Sequence, residues 1–140
     1  MPSTAYEPES TVSVRVPHEQ ASAPQVRLRL AADLDAARVI GQEADDALLI
    51  MSELITNAVR HARPLPSGGL FVSWAISRTR IGISVTDGGS ATAPKATAAA
   101  MSEIGGRGLH IVHFLASTWD VDRGEDDTTV WAVIARPALS

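Results

Sequence analysis

The stretch from Asp45 to Ala62 most restricts what this chain can fold into. Leu48, Met51, Ile55, Ala58, Val59 and Ala62 recur at spacings of three and four, which specifies a helix whose apolar face needs a second layer to cover it. Pro64 and Pro66 end that helix. On its other side Glu53, Asn57 and His61 stand four apart with Arg60 beside them, so polar groups of different chemistry share one strip. The same spacing also describes the solvated face of an amphipathic helix. Yet Leu49, Ile50 and Leu54 flank the strip, more apolar than solvent requires, and asparagine is a poor helix former without a local reason to be there. A carboxylate and an amide oxygen one turn apart suit a hard cation with its waters, and such a carboxylate can take a proton from a nucleophile.

The covering layer is written in two-residue alternation. Thr11 to Val16 places Val12, Val14 and Val16 on one side and stops at Pro17. Ser22-Ala23-Pro24-Gln25 has the form of a capping box, opening a helix to about Ala37 with Val26, Leu30, Leu34 and Ala37 on one face. After Gly68-Gly69, Leu70 to Ile76 and Ile81 to Thr86 form a hairpin. Residues 90–103 are small and polar up to Met101 and read as a long mobile loop, a length more often functional than incidental. A helix from the Gly105–Gly108 region to Ser117 and strands at Trp119–Asp122 and Thr129–Ala135 complete the order. Strand, two helices, hairpin, loop, helix and two strands make an α+β two-layer sandwich: a mixed, mostly antiparallel sheet with helices on one face. The expected organisation is a disordered tail at 1–10 and one domain over 11–137.

Composition narrows function by exclusion. Twelve basic against 16 acidic residues give a net charge of −4, no footprint for direct nucleic-acid binding or an anionic membrane. Without cysteine, disulfide scaffolds, cysteine-ligated zinc and thiol catalysis are out. No secretory leader or apolar span is evident, so the expectation is a cytoplasmic protein. Lys95 is the single lysine and lacks a glycine-rich frame, so P-loop chemistry is absent.

Two further places invite a ligand. Alternation through Ile81, Ile83 and Val85 carries Asp87 to the core side, and a buried carboxylate needs donors. Gly88 and Gly89 allow close approach there; a purine amine would be a suitable donor, and so would the backbone of an Asp-Gly-Gly turn. Gly105-Gly106-Arg107-Gly108 opens the third helix, where free amide donors suit phosphate, although a flexible helix entry needs the same glycines. His110 and His113, three apart, lack a third metal ligand.

In order and together these pieces resemble the GHKL ATPase superfamily, whose Bergerat nucleotide-binding fold occurs in gyrases, histidine kinases, chaperones and mismatch-repair ATPases. Glu53-Leu54-Ile55-Thr56-Asn57-Ala58-Val59-Arg60-His61-Ala62 is similar to its N-box, Asp87-Gly88-Gly89 to its G1 box and Gly106-Arg107-Gly108-Leu109-His110-Ile111-Val112 to its G2 box. Thr129-Val130-Trp131 is similar to its final strand, and the likeness covers about Val12 to Arg136. The short chain, the NAVRHA sequence and the closing Trp131 look most like the anti-sigma-factor serine kinases.

That resemblance implies ATP and Mg2+ as cofactors, Asn57 as the magnesium ligand and Glu53 as general base or as the residue orienting the acceptor hydroxyl. It implies that Asp87, beside Gly89, binds the adenine amine directly and through water shared with Thr129. Gly106, Gly108 and the Leu109 turn would approach the phosphates, Arg60, His61 and Arg107 would contact them, and residues 90–105 would be the ATP lid carrying Lys95. The implied activity is transfer of the ATP γ-phosphate to a serine or threonine of a STAS-type anti-sigma-factor antagonist, with sequestration of a sigma factor and homodimerisation frequent in the branch. A non-catalytic ATP-sensing partner switch and a detached histidine-kinase catalytic domain are the alternatives. Two departures from the pattern are Ala91, where many members have glycine, and Glu125-Asp126-Asp127 before Thr129, where the branch often has a glycine-rich basic turn.

Overall fold

The computed structural model describes residues 10–90 and 107–137. Most of the expected tail, the expected lid with Ala91 and Lys95, and Gly106 lie outside the described residues. The elements are β1 (Ser10–Val16), α1 (Ser22–Ala36), α2 (Gln42–His61), β2 (Leu70–Ile76), β3 (Arg80–Asp87), α3 (Arg107–Leu115), β4 (Thr118–Arg123) and β5 (Thr128–Ala135). The five strands form one sheet in the order β1-β2-β3-β5-β4, every neighbouring pair antiparallel. The last strand therefore returns between β3 and the edge strand β4. This is the expected two-layer α+β sandwich, with a wholly antiparallel sheet among the described residues in place of the expected mixed one.

Register makes one sheet face continuous. Val12 opposes Trp74, Trp74 opposes Ile83, and Ile83 opposes Ala132, so each strand's apolar set falls on the helix side. That side holds Leu70, Val72, Trp74, Ile81, Val85, Val130 and Ile134 in the core. Against it lies α2, flanked by α1 and α3 and crossing β3. Its central position explains a buried face wider than periodicity implies: Ala47, Ile50 and Leu54 are buried together with Met51, Ile55 and Ala58, while Leu48 and Val59 lie at the margin. Of the apolar residues flanking the polar strip, Ile50 and Leu54 thus pack inward, whereas Leu49 stays exposed.

The start of α1 differs from the expected capping box. Ala21 is the residue before the helix, already in helical geometry, and no side chain caps it. Ser22 is buried within the first turn, and its hydroxyl donates to the Pro17 carbonyl at 2.7 Å. The preceding turn, with Ser22 N–H on Glu19 O and Ala23 N–H on Gln20 O, has already used the amides a cap would serve.

The helix-free face bears a shallow groove beside Gly82, lined by Ser73, Ala75, Ser84, Trp131 and Val133. Nothing titratable lines it.

Candidate nucleotide-binding site

β3 ends by carrying a carboxylate inward. Ile81, Ile83, Val85 and Asp87 are all buried, Asp87 with 7% of its surface exposed. Burial pushes its carboxyl up to about 6 against an ordinary 3.8. The Gly89 amide, donating to Oδ1 at 2.7 Å, opposes that shift, as do the fields of His18 and Arg123, while Asp127 adds to it. Through Oδ1 the aspartate thus caps its own turn, the arrangement an Asp-Gly-Gly turn provides.

Backbone contacts bolt this turn to α2. Gly88 N–H donates to Arg63 O at 2.7 Å and Arg63 N–H to Gly89 O at 3.0 Å, immediately past the end of the helix. A side chain at Gly88 would collide with the Pro64 carbonyl, so only glycine allows this approach. Asp87 and the last turn of α2 are brought to one place by these two bonds.

On α2, Glu53 and Asn57 are half-buried, whereas Arg60 and His61 are exposed at its end. Asn57 Oδ1 is buried and has no hydrogen-bond partner among the described residues. A buried amide oxygen left unpaired costs about 1–3 kcal/mol unless something binds it. Asn57 thus leaves an oxygen of the type magnesium takes unpaired on the helix whose end is joined to the Asp87 turn. Among the described residues no group of three His, Asp or Glu could by itself hold a metal, so such an ion would need ligands from phosphate and water. His113 is occupied otherwise: its Nδ1 accepts from Trp119 Nε1–H at 3.1 Å.

The third helix begins at Arg107 and Gly108 and packs against α2. Leu109 is fully buried in the core, so what it offers a ligand is the backbone N–H of a helix's first turn.

Thr129 is placed away from this site. Thr86 opposes Thr129 and Asp87 opposes Thr128, and alternation sets Thr128 on the helix side with Val130. Thr129 Oγ1 instead pairs with Thr86 Oγ1 at 2.7 Å on the open face. A Cβ built on Gly89 would lie 3.6 Å from Thr128 Oγ1, which puts that hydroxyl beside the Asp87 turn. The two adjacent threonines are locally indistinguishable, and only pairing with β3 separates them.

His18 is a residue the sequence reading passed over. From the loop after β1 its Nε2 reaches Ala62 O at 2.9 Å and Ala58 O at 3.2 Å, the closing carbonyls of α2. No local pattern announces it; forty residues or more separate the partners.

A buried carboxylate at a strand end, an orphaned amide oxygen on the central helix and a helix start beside it define an α+β nucleotide-binding fold of the GHKL type. Residues 16–134 match the histidine kinase-like ATPase domain model, and the chain belongs to that family. Among solved structures, the RsbU and RsbW domains of Rv1364c from Mycobacterium tuberculosis are similar, with a TM-score of 0.66 and 22% identity over 92% of this chain. This chain spans 34% of that one. No curated protein matches it. No described helix is long and apolar enough to cross a membrane.

Proposed function

We propose that this ATPase-family domain is an ATP- and Mg2+-dependent protein serine/threonine kinase of the anti-sigma-factor type, acting on a STAS-type antagonist and holding a sigma factor. The observation that carries the reading is the unpaired, buried Oδ1 of Asn57 one turn beyond Glu53, on the helix bolted to the Asp87 turn. The family match and the likeness to a chain that contains an RsbW domain support the kinase branch.

In this reading the carboxylate of Asp87 accepts the adenine amine, with Thr128 rather than Thr129 the hydroxyl near enough to share a water. Arg60, His61 and Arg107 would contact the phosphates together with the first amides of α3, from Gly108 and Leu109, with Gly106 just ahead of them in sequence. Asn57 Oδ1 would hold a magnesium ion, which when bound would offset phosphate charge. Glu53 orients the acceptor hydroxyl and takes its proton as the oxygen bonds to the γ-phosphorus and the bond to the β–γ bridging oxygen breaks, releasing ADP.

Incubation with radiolabelled ATP and candidate antagonists tests this. Label on serine or threonine, lost in Glu53→Ala with ATP binding retained, is the expected result. Full transfer by Glu53→Ala removes the base assignment. Label on histidine identifies a detached histidine-kinase domain, and nucleotide-dependent partner binding without label identifies a non-catalytic switch. The second of these outcomes has one feature in its favour: Asp127 of the acidic turn lies in the field of Asp87 and works against its ionisation.

A further inference from the structure

The β1–α1 loop contains no part of the boxes that define the family, yet it reaches the nucleotide end of the molecule. Val16 pairs with Leu70 and Phe71 with Thr86, so the end of β1, the start of β2 and the end of β3 lie along one rim of the sheet. Pro17 anchors the loop there: its carbonyl accepts from Ser22 Oγ at 2.7 Å and from Glu19 N–H at 2.9 Å. The next residue, His18, is half-buried and reaches the end of α2. With two carbonyls at Nε2, that nitrogen carries the proton and donates to both. Ala62 is where α2 turns extended, and Arg63 directly after it makes both backbone bonds to the Asp87 turn.

We propose that His18 is a positioning residue of the nucleotide site: its ring fixes the end of α2 against the Asp87–Gly89 turn and sets an imidazole beside the segment that carries the adenine-binding carboxylate. The inference rests on the nucleotide reading of Asp87 given above. Two properties of one side chain are involved. The Nε2–H bond holds geometry, and a positive charge on the ring favours the carboxylate that accepts an adenine amine. The electrostatic effect of His18 on Asp87 is in this direction. Other charged groups bearing on Asp87 are Arg123 at the end of β4, which also favours ionisation, and Asp127 in the β4–β5 turn, which opposes it. Arg60, His61 and Arg63, at the adjoining end of α2, have exposed side chains.

His18→Gln and His18→Ala separate the two properties. Glutamine keeps an N–H donor and loses the charge; alanine loses both. Two readouts are taken on the full chain: nucleotide affinity between pH 5 and 8 by titration calorimetry, and the Asp87 carboxyl titration by 13C NMR without nucleotide. The expected result is an Asp87 midpoint raised by roughly half a unit or more in both variants. Affinity near neutral pH should fall about fivefold to tenfold in His18→Ala and less in His18→Gln, whose loss grows toward acid pH. An Asp87 midpoint unchanged in His18→Gln overturns the proposal, whether or not nucleotide binds. Equal losses at every pH in both variants also overturn it, because a purely structural role predicts that pattern. If wild type binds no ATP while the Asp87 midpoint still moves, the nucleotide reading fails and the His18–Asp87 coupling stands.

Discussion

Replacing Asp87 by asparagine should make the protein more stable and a worse nucleotide binder, and the structure sets the size of both effects. The native carboxyl holds its proton up to about 6 and the unfolded chain only to 3.8. Between those values the folded state binds more protons, so this group's contribution to stability falls as pH rises and stays at its lowest above about pH 6. A shift of about two units at ~1.4 kcal/mol each sets a ceiling of ~3 kcal/mol. The introduced asparagine would keep the acceptor for the Gly89 amide but bring an NH2 with its own needs, so a gain of about 1–2 kcal/mol at pH 7.5 is expected. Below pH 4 the native carboxyl is neutral and the two proteins should be nearly equal. The same exchange turns the remaining acceptor oxygen into a donor facing the adenine amine. Affinity for ATP should drop by about tenfold to a hundredfold. Urea unfolding of both proteins from pH 4 to 7.5, with ATP titration at pH 7.5, measures these quantities. A stability difference independent of pH, or destabilisation of Asp87→Asn at pH 7.5, would refute the reasoning.

Thr128→Val should weaken ATP binding while Thr129→Val leaves it unchanged and costs ~1 kcal/mol of stability through its bond to Thr86; calorimetry and denaturant melts on the pair check the strand register. Gly88→Ala should lower Tm by several degrees, since its Cβ meets the Pro64 carbonyl and backbone cannot step aside cheaply, whereas Gly82→Ala, with nothing within 4 Å, should not. Asn57→Ala should abolish the dependence of nucleotide binding on Mg2+ without loss of stability, because the buried Oδ1 makes no bond to forfeit and alanine is the better helix former by roughly half a kcal/mol. Identical magnesium dependence in both proteins would remove the ligand assignment.

Much of the architecture is legible in one dimension because it follows from periods of two and 3.6. The run Ile81, Ile83, Val85, Asp87 is one face of a strand whatever surrounds it, and a carboxylate continuing an apolar alternation announces its burial before any contact is known. Likewise the strip at Glu53, Asn57 and His61 is placed on one side of α2 by helical geometry alone. Helix starts are less secure. Ser22 had the cap pattern, yet a carbonyl five residues back claimed its hydroxyl.

Local sequence thus determined the elements, the inward aspartate, the polar strip on the central helix and the absence of cysteine or P-loop chemistry. Tertiary structure alone decided the rest: that Ile50 and Leu54 are buried, that Asn57 Oδ1 is left unpaired, that Thr128 and not Thr129 stands by Asp87, and that His18 closes α2. Each of these depends on which residue from tens of positions away arrives opposite, a matter of strand register and packing between layers. A chain's periodicity says which way a side chain points, whereas its partner is chosen when the layers close.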